Sequence, residues 1–268
     1  MAAKIASSAT VDPRAQLADD VEIGPGCVIG PEVSIGRGTI LKSNITLTGI
    51  VAIGEENRIF PNVVIGEEPQ DLSYLGSPTR VEIGDHNVIR EGVTINRGTE
   101  KEDGLTSLGS HCYLMANAHV AHDCRIGDRA ILCNGTLLGG HVRVQDCVTL
   151  SGNVAVHHFV TIGAYSFVGG LSRVQHDVPP YMLLEGSPAR PRCVNVVGLK
   201  RNDFSSDAVA ALTEAFKLLY RSRVGVDHAR EILRGHGRLI PQVNLLLNFV
   251  QEQTEGRHGR ARDKRRAA

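Results

Sequence analysis

An aliphatic residue recurs at every sixth position through most of the first two thirds of this chain. The series runs over residues 5–65, 83–95 and 108–174, often with a glycine directly after the aliphatic residue. A period of six fits neither an α-helix nor simple strand alternation; it is typical of short strands separated by sharp corners. Three such strands would close a triangular coil of about 18 residues, with the aliphatic side chains stacked inside.

The composition suits such thin, regular layers. Of the 268 residues, 42% are hydrophobic, but only 4% are aromatic and tryptophan is absent. Coils that stack through backbone hydrogen bonds at the strand spacing of about 4.8 Å would bury valine, isoleucine and leucine without needing bulkier side chains. We therefore predict a mainly β fold, with a parallel β-helix over residues 1–190.

Charge and hydropathy argue against several functional classes. The formal net charge is zero, which gives no electrostatic case for binding nucleic acid or a membrane surface. No stretch approaches the roughly 18 uninterrupted apolar residues of a membrane span, and the start of the chain lacks an apolar signal-peptide core. These observations predict a soluble, cytoplasmic protein without an integral membrane segment.

The six cysteines are predicted to be free thiols. None forms a CxxC pair, and Cys27, Cys112 and Cys124 fall at a position of the repeat that usually holds a small residue. A reduced thiol packs there as a small hydrophobe, whereas a set of disulfides would not suit a reducing compartment.

Two segments interrupt the repeat. Over residues 67–80 the pattern is missing, and we predict a loop that replaces part of one coil while keeping the register. The second segment, residues 97–106, lies in a gap one residue longer than two hexads, which predicts an outward bulge. Loops on a rigid scaffold commonly carry function, although neutral surface insertions would give the same pattern.

The repeat fades after Val174, and four prolines between positions 179 and 191 mark irregular chain. Beyond Arg201 the apolar spacing changes to three and four, and Ser205 or Ser206 can cap a helix. We predict a helical domain over residues 191–253 that covers one open end of the β-helix. The tail, residues 254–268, carries six basic and two acidic residues and is predicted to be disordered, with anion binding as a weaker interpretation.

The stretch from Ala118 to Cys124 carries the candidate chemistry. Adding one coil to His122 gives Gly140, and adding another gives His158, so these three residues should stack at intervals of about 5 Å. A neutral imidazole can take the proton of an attacking hydroxyl group, and a glycine N–H can donate to the oxyanion that forms on a thioester carbonyl. We predict His122 as the general base and Gly140 as the oxyanion donor of an acyl transfer.

Asp123 is a candidate partner for a histidine, because a carboxylate fixes the tautomer and stabilises the imidazolium ion. Adjacent strand residues point to opposite faces, so Asp123 either serves another histidine, such as the stacked His141, or is brought round by a corner. Five histidines lie close in sequence: His119, His122, His141, His157 and His158. Zinc is the competing use of such a cluster, but His119 and His122 do not form the HxxxxH element of the γ-class carbonic anhydrases, and we predict no metal.

Segments between the repeats carry a more specific signal. They are Gln70-Asp71-Leu72, Pro78-Thr79-Arg80-Val81-Glu82-Ile83-Gly84, Ile89-Arg90-Glu91, Arg97-Gly98-Thr99, Asn117-Ala118-His119-Val120-Ala121-His122-Asp123-Cys124, Asp177-Val178-Pro179-Pro180 and Gly198-Leu199-Lys200-Arg201. Through them the chain from about residue 5 to 250 resembles the UDP-N-acetylglucosamine O-acyltransferases of lipid A biosynthesis, which are hexapeptide-repeat acyltransferases. The resemblance implies a left-handed parallel β-helix with a C-terminal α-helical domain; the left hand comes from it alone, since parallel crossovers are generally right-handed.

The resemblance implies transfer of an (R)-3-hydroxyacyl chain from the phosphopantetheine thioester of acyl carrier protein to the 3-hydroxyl of UDP-N-acetylglucosamine, without a further cofactor. It implies His122 as base, Asp123 as its partner and Gly140 as oxyanion donor. The residues implied to contact the sugar nucleotide or the pantetheine arm are Gln70, Asp71, His119, His141 and His157. We add His158 to them because it stacks above His122 and Gly140. Asn195 and Arg201 would hold uridine and phosphate. Gly170 matches the position that limits acyl length and implies a long chain, and the family implies a homotrimer with active sites between subunits.

Four positions depart from the family pattern near the expected sugar and nucleotide pocket. Ser73 replaces a usual lysine, Val197 a common acidic residue, Asn96 a usual histidine and Asn202 a frequent basic residue. The acceptor is therefore either UDP-N-acetylglucosamine or a variant such as its 3-amino analogue. Three different functions also fit the sequence: N-acylation of a UDP-amino sugar, a non-catalytic role as a hexapeptide scaffold, and zinc-dependent hydration on a β-helix.

Overall fold

The computed structural model describes residues 3–262 of the chain. Most strands in the first 174 residues are only two residues long, and each pairs in parallel with strands of the neighbouring coils. Where nothing is inserted, paired positions are 18 residues apart, as for Ile5 with Ile23 and Val120 with Leu138. The predicted coil length is confirmed.

Three sheets form the faces of a left-handed parallel β-helix. Sheet A consists of Lys4–Ile5, Glu22–Ile23, Ile40–Leu41, Arg58–Ile59, Val88–Ile89, Tyr113–Leu114, Ile131–Leu132, Thr149–Leu150, Phe167–Val168 and the final antiparallel pair Met182–Gly186 and Ala189–Val194. Sheet B consists of Thr10–Val11, Val28–Ile29, Thr46–Leu47, Val64–Glu67, Thr94–Asn96, His119–Val120, Leu137–Leu138, Ala155–Val156 and Arg173–Val174. Sheet C consists of Gln16–Leu17, Val33–Ile35, Ile50–Ile53, Arg80–Ile83, Leu105–Leu108, Arg125–Ile126, Arg143–Val144 and Thr161–Ile162.

The aliphatic residues of the hexads fill the interior. Ile59, Ile65, Leu114, Leu132 and Leu150 are fully buried, and each such side chain contributes about 1.5–3 kcal/mol before the cost of chain entropy. The interior also holds three thiols, Cys27, Cys112 and Cys124, and all six cysteines are free as predicted. Burial raises the pKa of Cys124 to about 12, so this thiol stays neutral and acts only as packing.

Both interruptions of the repeat leave the β-helix at one corner, between sheets B and C. Ile83 pairs with Ile53, 30 residues earlier, so residues 68–79, here called the first insertion, are added to a coil rather than replacing part of one as predicted. Leu108 pairs with Ile83, 25 residues earlier, and the second insertion, residues 97–104, folds inward against the next coil. The predicted outward bulge is wrong, since Thr99 is fully buried.

The helical part begins directly after the last strand of sheet A. Its helices are α1 (Val196–Arg201), α2 (Ser206–Phe216, continued by a π-helical turn at Lys217–Arg221), α3 (Val226–Gly235) and α4 (Pro241–Thr254). The side chain of Ser205 caps α2 by accepting a hydrogen bond from the Ala208 N–H. Apolar residues of these helices share one core with the final strand pair, and the division predicted at residue 190 falls inside the strand Ala189–Val194.

The tail does not begin at residue 254. Helix α4 extends to Thr254, and Gly259–Arg262 form a 3-10 helix. The predicted disorder is therefore wrong for residues 254–262, because Arg262 finds hydrogen-bond acceptors on the β-helix; the remaining tail positions lie outside the described residues. Within residues 3–262 the helices are too short or too polar to cross a bilayer.

Candidate active site

His122 and Asp123 form the turn between His119–Val120 in sheet B and Arg125–Ile126 in sheet C. Asp123 has a φ of 59°, a left-handed conformation that aspartate adopts more readily than most residues. Strand alternation does not apply to a turn, and the Asp123 carboxylate reaches back so that Oδ2 lies 2.8 Å from His122 Nδ1. The corner thus brings Asp123 to His122 itself, the second of the two arrangements that the sequence had left open.

Two threonines hold Asp123 in place, Thr99 through the carboxylate and Thr106 through the backbone N–H. The backbone N–H and the hydroxyl of Thr99 donate to the carboxylate at 2.9 and 2.6 Å, and the Asp123 N–H donates to the Thr106 hydroxyl oxygen at 2.8 Å. Burial of Asp123 raises its pKa, but the hydrogen bonds from His122 and Thr99 outweigh this effect and hold the pKa below its ordinary value. Asp123 is therefore ionised, so His122 Nδ1 carries the proton and Nε2 keeps its lone pair.

Gly140 lies one coil above His122. The next residue, His141, connects the two coils, because its backbone N–H donates to the His122 carbonyl at 3.0 Å. A Cβ atom at position 140 would lie 2.5 Å from His122 Cε1 and 2.6 Å from Nε2, so only glycine leaves room for the imidazole. Within residues 3–262 the Gly140 N–H has no hydrogen-bond acceptor. It is available to an oxygen atom of a ligand in front of His122.

A cavity of about 1070 Å³ opens in front of this corner. His122, Asp71, Gly140, His141 and His158 line it, which brings five of the predicted site residues together. Asp71 Oδ2 lies 3.9 Å from His122 Nε2, and the His141 ring meets the His122 ring edge-on at 5.1 Å. The predicted base, the predicted oxyanion donor and Asp71, a predicted contact of the sugar nucleotide or pantetheine, thus share one space.

Charged side chains of both signs surround the cavity. The cations are Lys101, Arg125, Arg143 and Arg262, and the anions besides Asp71 are Glu102 and Asp103. Arg262 arrives from the far end of the chain and donates to the backbone carbonyl of His141 at 2.8 Å and to that of Phe159. Burial lowers the pKa of Arg262 to about 10, and its guanidinium stays charged at neutral pH.

Other predicted residues lie near the cavity without lining it. Gln70 is exposed at the edge of the first insertion. His119 lies on sheet B with Nδ1 2.7 Å from the Thr94 hydroxyl, and burial, together with the nearness of the His122 ring, lowers the pKa of His119. The His157 ring packs on the His158 ring with 3.8 Å between centroids.

Three predicted residues lie at other corners of the prism. Gly170 is in the turn between sheets A and B. Asn195 caps α1 by accepting from the Gly198 N–H, and it donates to the carbonyl of Tyr165, which is in the turn between sheets C and A. Arg201 is exposed in the last turn of α1. One chain therefore does not bring Gly170, Asn195 or Arg201 to the His122 corner.

Several residues of the site had no role assigned from sequence. Thr99, Lys101 and Glu102 come from the second insertion; the interrupted repeat drew attention to all three, and only Thr99 also lay in a segment that resembles the family. Phe159 lines the cavity and stacks on His141 with 4.3 Å between ring centroids; the repeat predicts a corner at this position but not this contact. Arg262 gave no signal beyond the basic character of the tail.

His122, Asp123 and His141 are also the residues that could hold a metal ion, since their candidate ligand atoms lie within 4.8 Å of one another. Both oxygens of Asp123 already accept hydrogen bonds from Thr99, and Oδ2 also accepts from His122. A metal on Asp123 and His122 Nδ1 would displace the proton that joins them. The donor set fits an oriented base better than a metal centre.

Known proteins share both halves of this structure. Residues 177–259 match the family model described as UDP N-acetylglucosamine O-acyltransferase, domain 2, and residues 2–37 and 106–140 match that of the bacterial transferase hexapeptide, six repeats. The solved structure of LpxA from Acinetobacter baumannii is 40% identical, with 92% of this chain and 96% of that chain covered and a TM-score of 0.88. UDP-N-acetylglucosamine O-acyltransferase from Moraxella catarrhalis is 39% identical with the same coverage and TM-score, and the Francisella novicida acyltransferase is 39% identical over 91% and 90% of the chains, with a TM-score of 0.86.

Proposed function

This chain belongs to the UDP-N-acetylglucosamine O-acyltransferase family, and we propose that it transfers an (R)-3-hydroxyacyl chain from acyl carrier protein to the 3-hydroxyl of UDP-N-acetylglucosamine, the first step of lipid A biosynthesis. The observation that carries the proposal is His122, oriented by the buried Asp123 at 2.8 Å and facing the unused N–H of Gly140. We place the reaction in the cytoplasm, the compartment predicted from the sequence.

The geometry supports a direct transfer. His122 Nε2 takes the proton of the sugar 3-hydroxyl as its oxygen attacks the thioester carbonyl, and Asp123 stabilises the imidazolium that forms. The carbonyl oxygen becomes an oxyanion, to which the Gly140 N–H donates. When the tetrahedral intermediate collapses, the C–S bond breaks and the leaving thiolate of the pantetheine arm takes the proton from His122. The residues supply orientation and proton transfer, and no metal or further cofactor enters a step.

We propose that the active enzyme is a homotrimer. Gly170, Asn195 and Arg201 lie at corners away from His122, so a neighbouring copy would have to supply them to the same cleft. Leu72, Leu75 and Leu171 are 109%, 84% and 78% exposed, and such leucines favour contact with another surface. A prism with three equivalent sides suits closed threefold symmetry, with Arg201 of each copy facing the nucleotide bound at the next.

The four residues that depart from the family pattern lie near Asp71 and in or next to α1. Ser73 donates to the Asp71 carboxylate, and Asn96 donates from Nδ2 to the Glu68 carbonyl at 2.7 Å, which supports the first insertion. Val197 is 62% exposed, and Asn202 caps the end of α1. These contacts adjust how the acceptor is held and leave His122 and Gly140 unchanged, so we keep the 3-amino analogue as the second candidate acceptor.

The proposed function predicts ester formation that is independent of metal. The protein is expected to acylate UDP-N-acetylglucosamine from (R)-3-hydroxyacyl carrier protein at the same rate with and without EDTA, and mass spectrometry of the product would distinguish an ester from an amide. Transfer only to the 3-amino analogue would establish N-acylation instead. Activity lost in EDTA and restored by zinc would support the metal site at His122, and no transfer to either sugar would support a non-catalytic scaffold.

The acyl-length assignment predicts a shorter product when position 170 carries a large side chain. Gly170 is exposed, and a Cβ there would meet the Gly152 carbonyl at 3.3 Å, so methionine fits with a small local adjustment. The Gly170→Met variant is expected to prefer an acyl donor several carbons shorter than the wild type prefers. The measurement is kcat/KM over a panel of donors, and an unchanged chain-length preference would refute the assignment.

A further inference from the structure

Asp71 forms an ion pair with a lysine side chain inside the cavity. Lys101 Nζ forms an ion pair with Asp71 Oδ2, and the N–H and hydroxyl of Ser73 donate to Oδ1 at 3.0 and 2.8 Å. The side chains of Lys101 and Asp71 are only 19% and 18% exposed. The pair is therefore part of the cavity wall, where solvent screens it less than at an open surface.

The position of this pair relates it to His122. The same oxygen of Asp71 that contacts Lys101 lies 3.9 Å from His122 Nε2, the nitrogen that faces the acceptor. Burial raises the pKa of Asp71, but the hydrogen bonds from Lys101 and Ser73 outweigh burial and hold the pKa well below its ordinary value. Asp71 is thus an ionised acceptor of hydrogen bonds directly beside the base.

Two different segments supply the pair. Asp71 and Ser73 belong to the first insertion, and Lys101 belongs to the second, which leaves the same corner one coil later. The Ser73 hydroxyl touches the Asp71 carboxylate, so a lysine at position 73 would lie within reach of the same group. Position 101 therefore provides the positive charge that position 73 lacks in this chain.

We propose that Lys101 is a positioning residue for the acceptor: it fixes the Asp71 carboxylate so that Asp71 accepts a hydrogen bond from the sugar, and it balances the charge of Asp71 beside Nε2 of His122. The inference rests on the proposed function and deepens it. A carboxylate held by a charge-assisted pair keeps one orientation, which lowers the cost of ordering it when the sugar binds.

Other charged groups also face His122 and stay in place when Lys101 is changed. Asp123 contacts Nδ1, and the rings of His119 and His141 are close by. The remaining charges of the cavity are Glu102, Asp103, Arg125, Arg143 and Arg262. Of the cations that line the cavity, Lys101 is hydrogen-bonded to Asp71, and Asp71 in turn lies beside Nε2 of the His122 ring.

The test begins with Lys101→Met in the full-length protein. We expect the KM for UDP-N-acetylglucosamine to rise about 10- to 100-fold, the range of a lost charge-assisted contact, with a smaller change in kcat. The unbalanced Asp71 should favour the imidazolium form of His122, so the acid limb of the kcat/KM profile should move to higher pH. Lys101→Arg should retain most of the activity, and Lys42→Met, which removes an exposed lysine far from the cavity, should behave as the wild type.

The double variant Lys101→Met with Ser73→Lys separates positioning from general support of the loop. Moving the ammonium to position 73 should return both the KM and the pH profile toward the wild type. A wild-type KM and pH profile in Lys101→Met would overturn the proposal. It would equally be overturned by a loss of activity that accompanies a lower Tm, leaves the pH profile unmoved and is not rescued by Ser73→Lys. Failure of the proposed function would look different, because the wild type itself would then not acylate the sugar.

Discussion

Replacing His122 with alanine should lower kcat for acyl transfer by about 10²- to 10⁴-fold, the contribution expected of a general base. The side chain stands in a turn at the edge of the cavity and is 12% exposed, outside the interior aliphatic ladder, so the change should leave the fold intact. The kcat would be measured with saturating donor and acceptor, and thermal unfolding by circular dichroism would show that the β-helix is retained.

A histidine away from the cavity provides the matched control. His86 is exposed on another corner, where its ring stacks on that of His111 at 4.8 Å. His86→Ala should therefore keep the wild-type kcat. If His122→Ala kept it as well, His122 would not be the base.

Substituting alanine for Gly140 should have the second-largest effect, a fall in kcat of at least about 100-fold. The new Cβ would lie 2.5 Å from His122 Cε1, closer than real contacts allow. It would meet the rigid imidazole ring and not the end of a flexible side chain that could move aside. The imidazole must shift, which breaks its 2.8 Å hydrogen bond with Asp123 or turns Nε2 away from the acceptor. Displacement of a reacting group by about 1 Å is enough for a loss of that size.

A second glycine tests whether the effect is local. Gly235 is at the end of α3 and has no atom within 4 Å of the place where its Cβ would be, so Gly235→Ala should be active. A crystal structure of Gly140→Ala should show the displaced His122 ring. An unmoved ring with wild-type kcat would refute the steric argument, because alanine retains the backbone N–H of position 140 and changes only the space in front of His122.

The column of His122, Gly140 and His158 could be predicted from sequence because the period of the repeat converts a separation in the chain into a position in space. The same arithmetic predicted the interior ladder, since each hexad position meets its equivalent one coil away. It worked because no residue is inserted between positions 108 and 174.

The insertions could not be placed in this way. A gap in a repeat has a length but no direction, so residues 67–80 were predicted to replace part of a coil and residues 97–106 to bulge outward. A positive φ recurs at every sixth residue from His111 to Leu171, so the repeat marks Asp123 as a corner residue, but it does not specify that the carboxylate contacts His122 Nδ1. Arg262 reaches the cavity across 121 residues, a distance over which no local pattern carries information.

The stacking of both insertions and the His122 turn along one edge has a practical consequence for engineering. Apart from a register shift between Ile65 and Glu67, the paired strands next to each insertion stay in register, so the loops could be exchanged as cassettes with those of another hexapeptide acyltransferase. Exchanging these loops would then change which acceptor the enzyme prefers. The thermal stability of such chimeras would depend on the β-helix and the helical part, which are not altered.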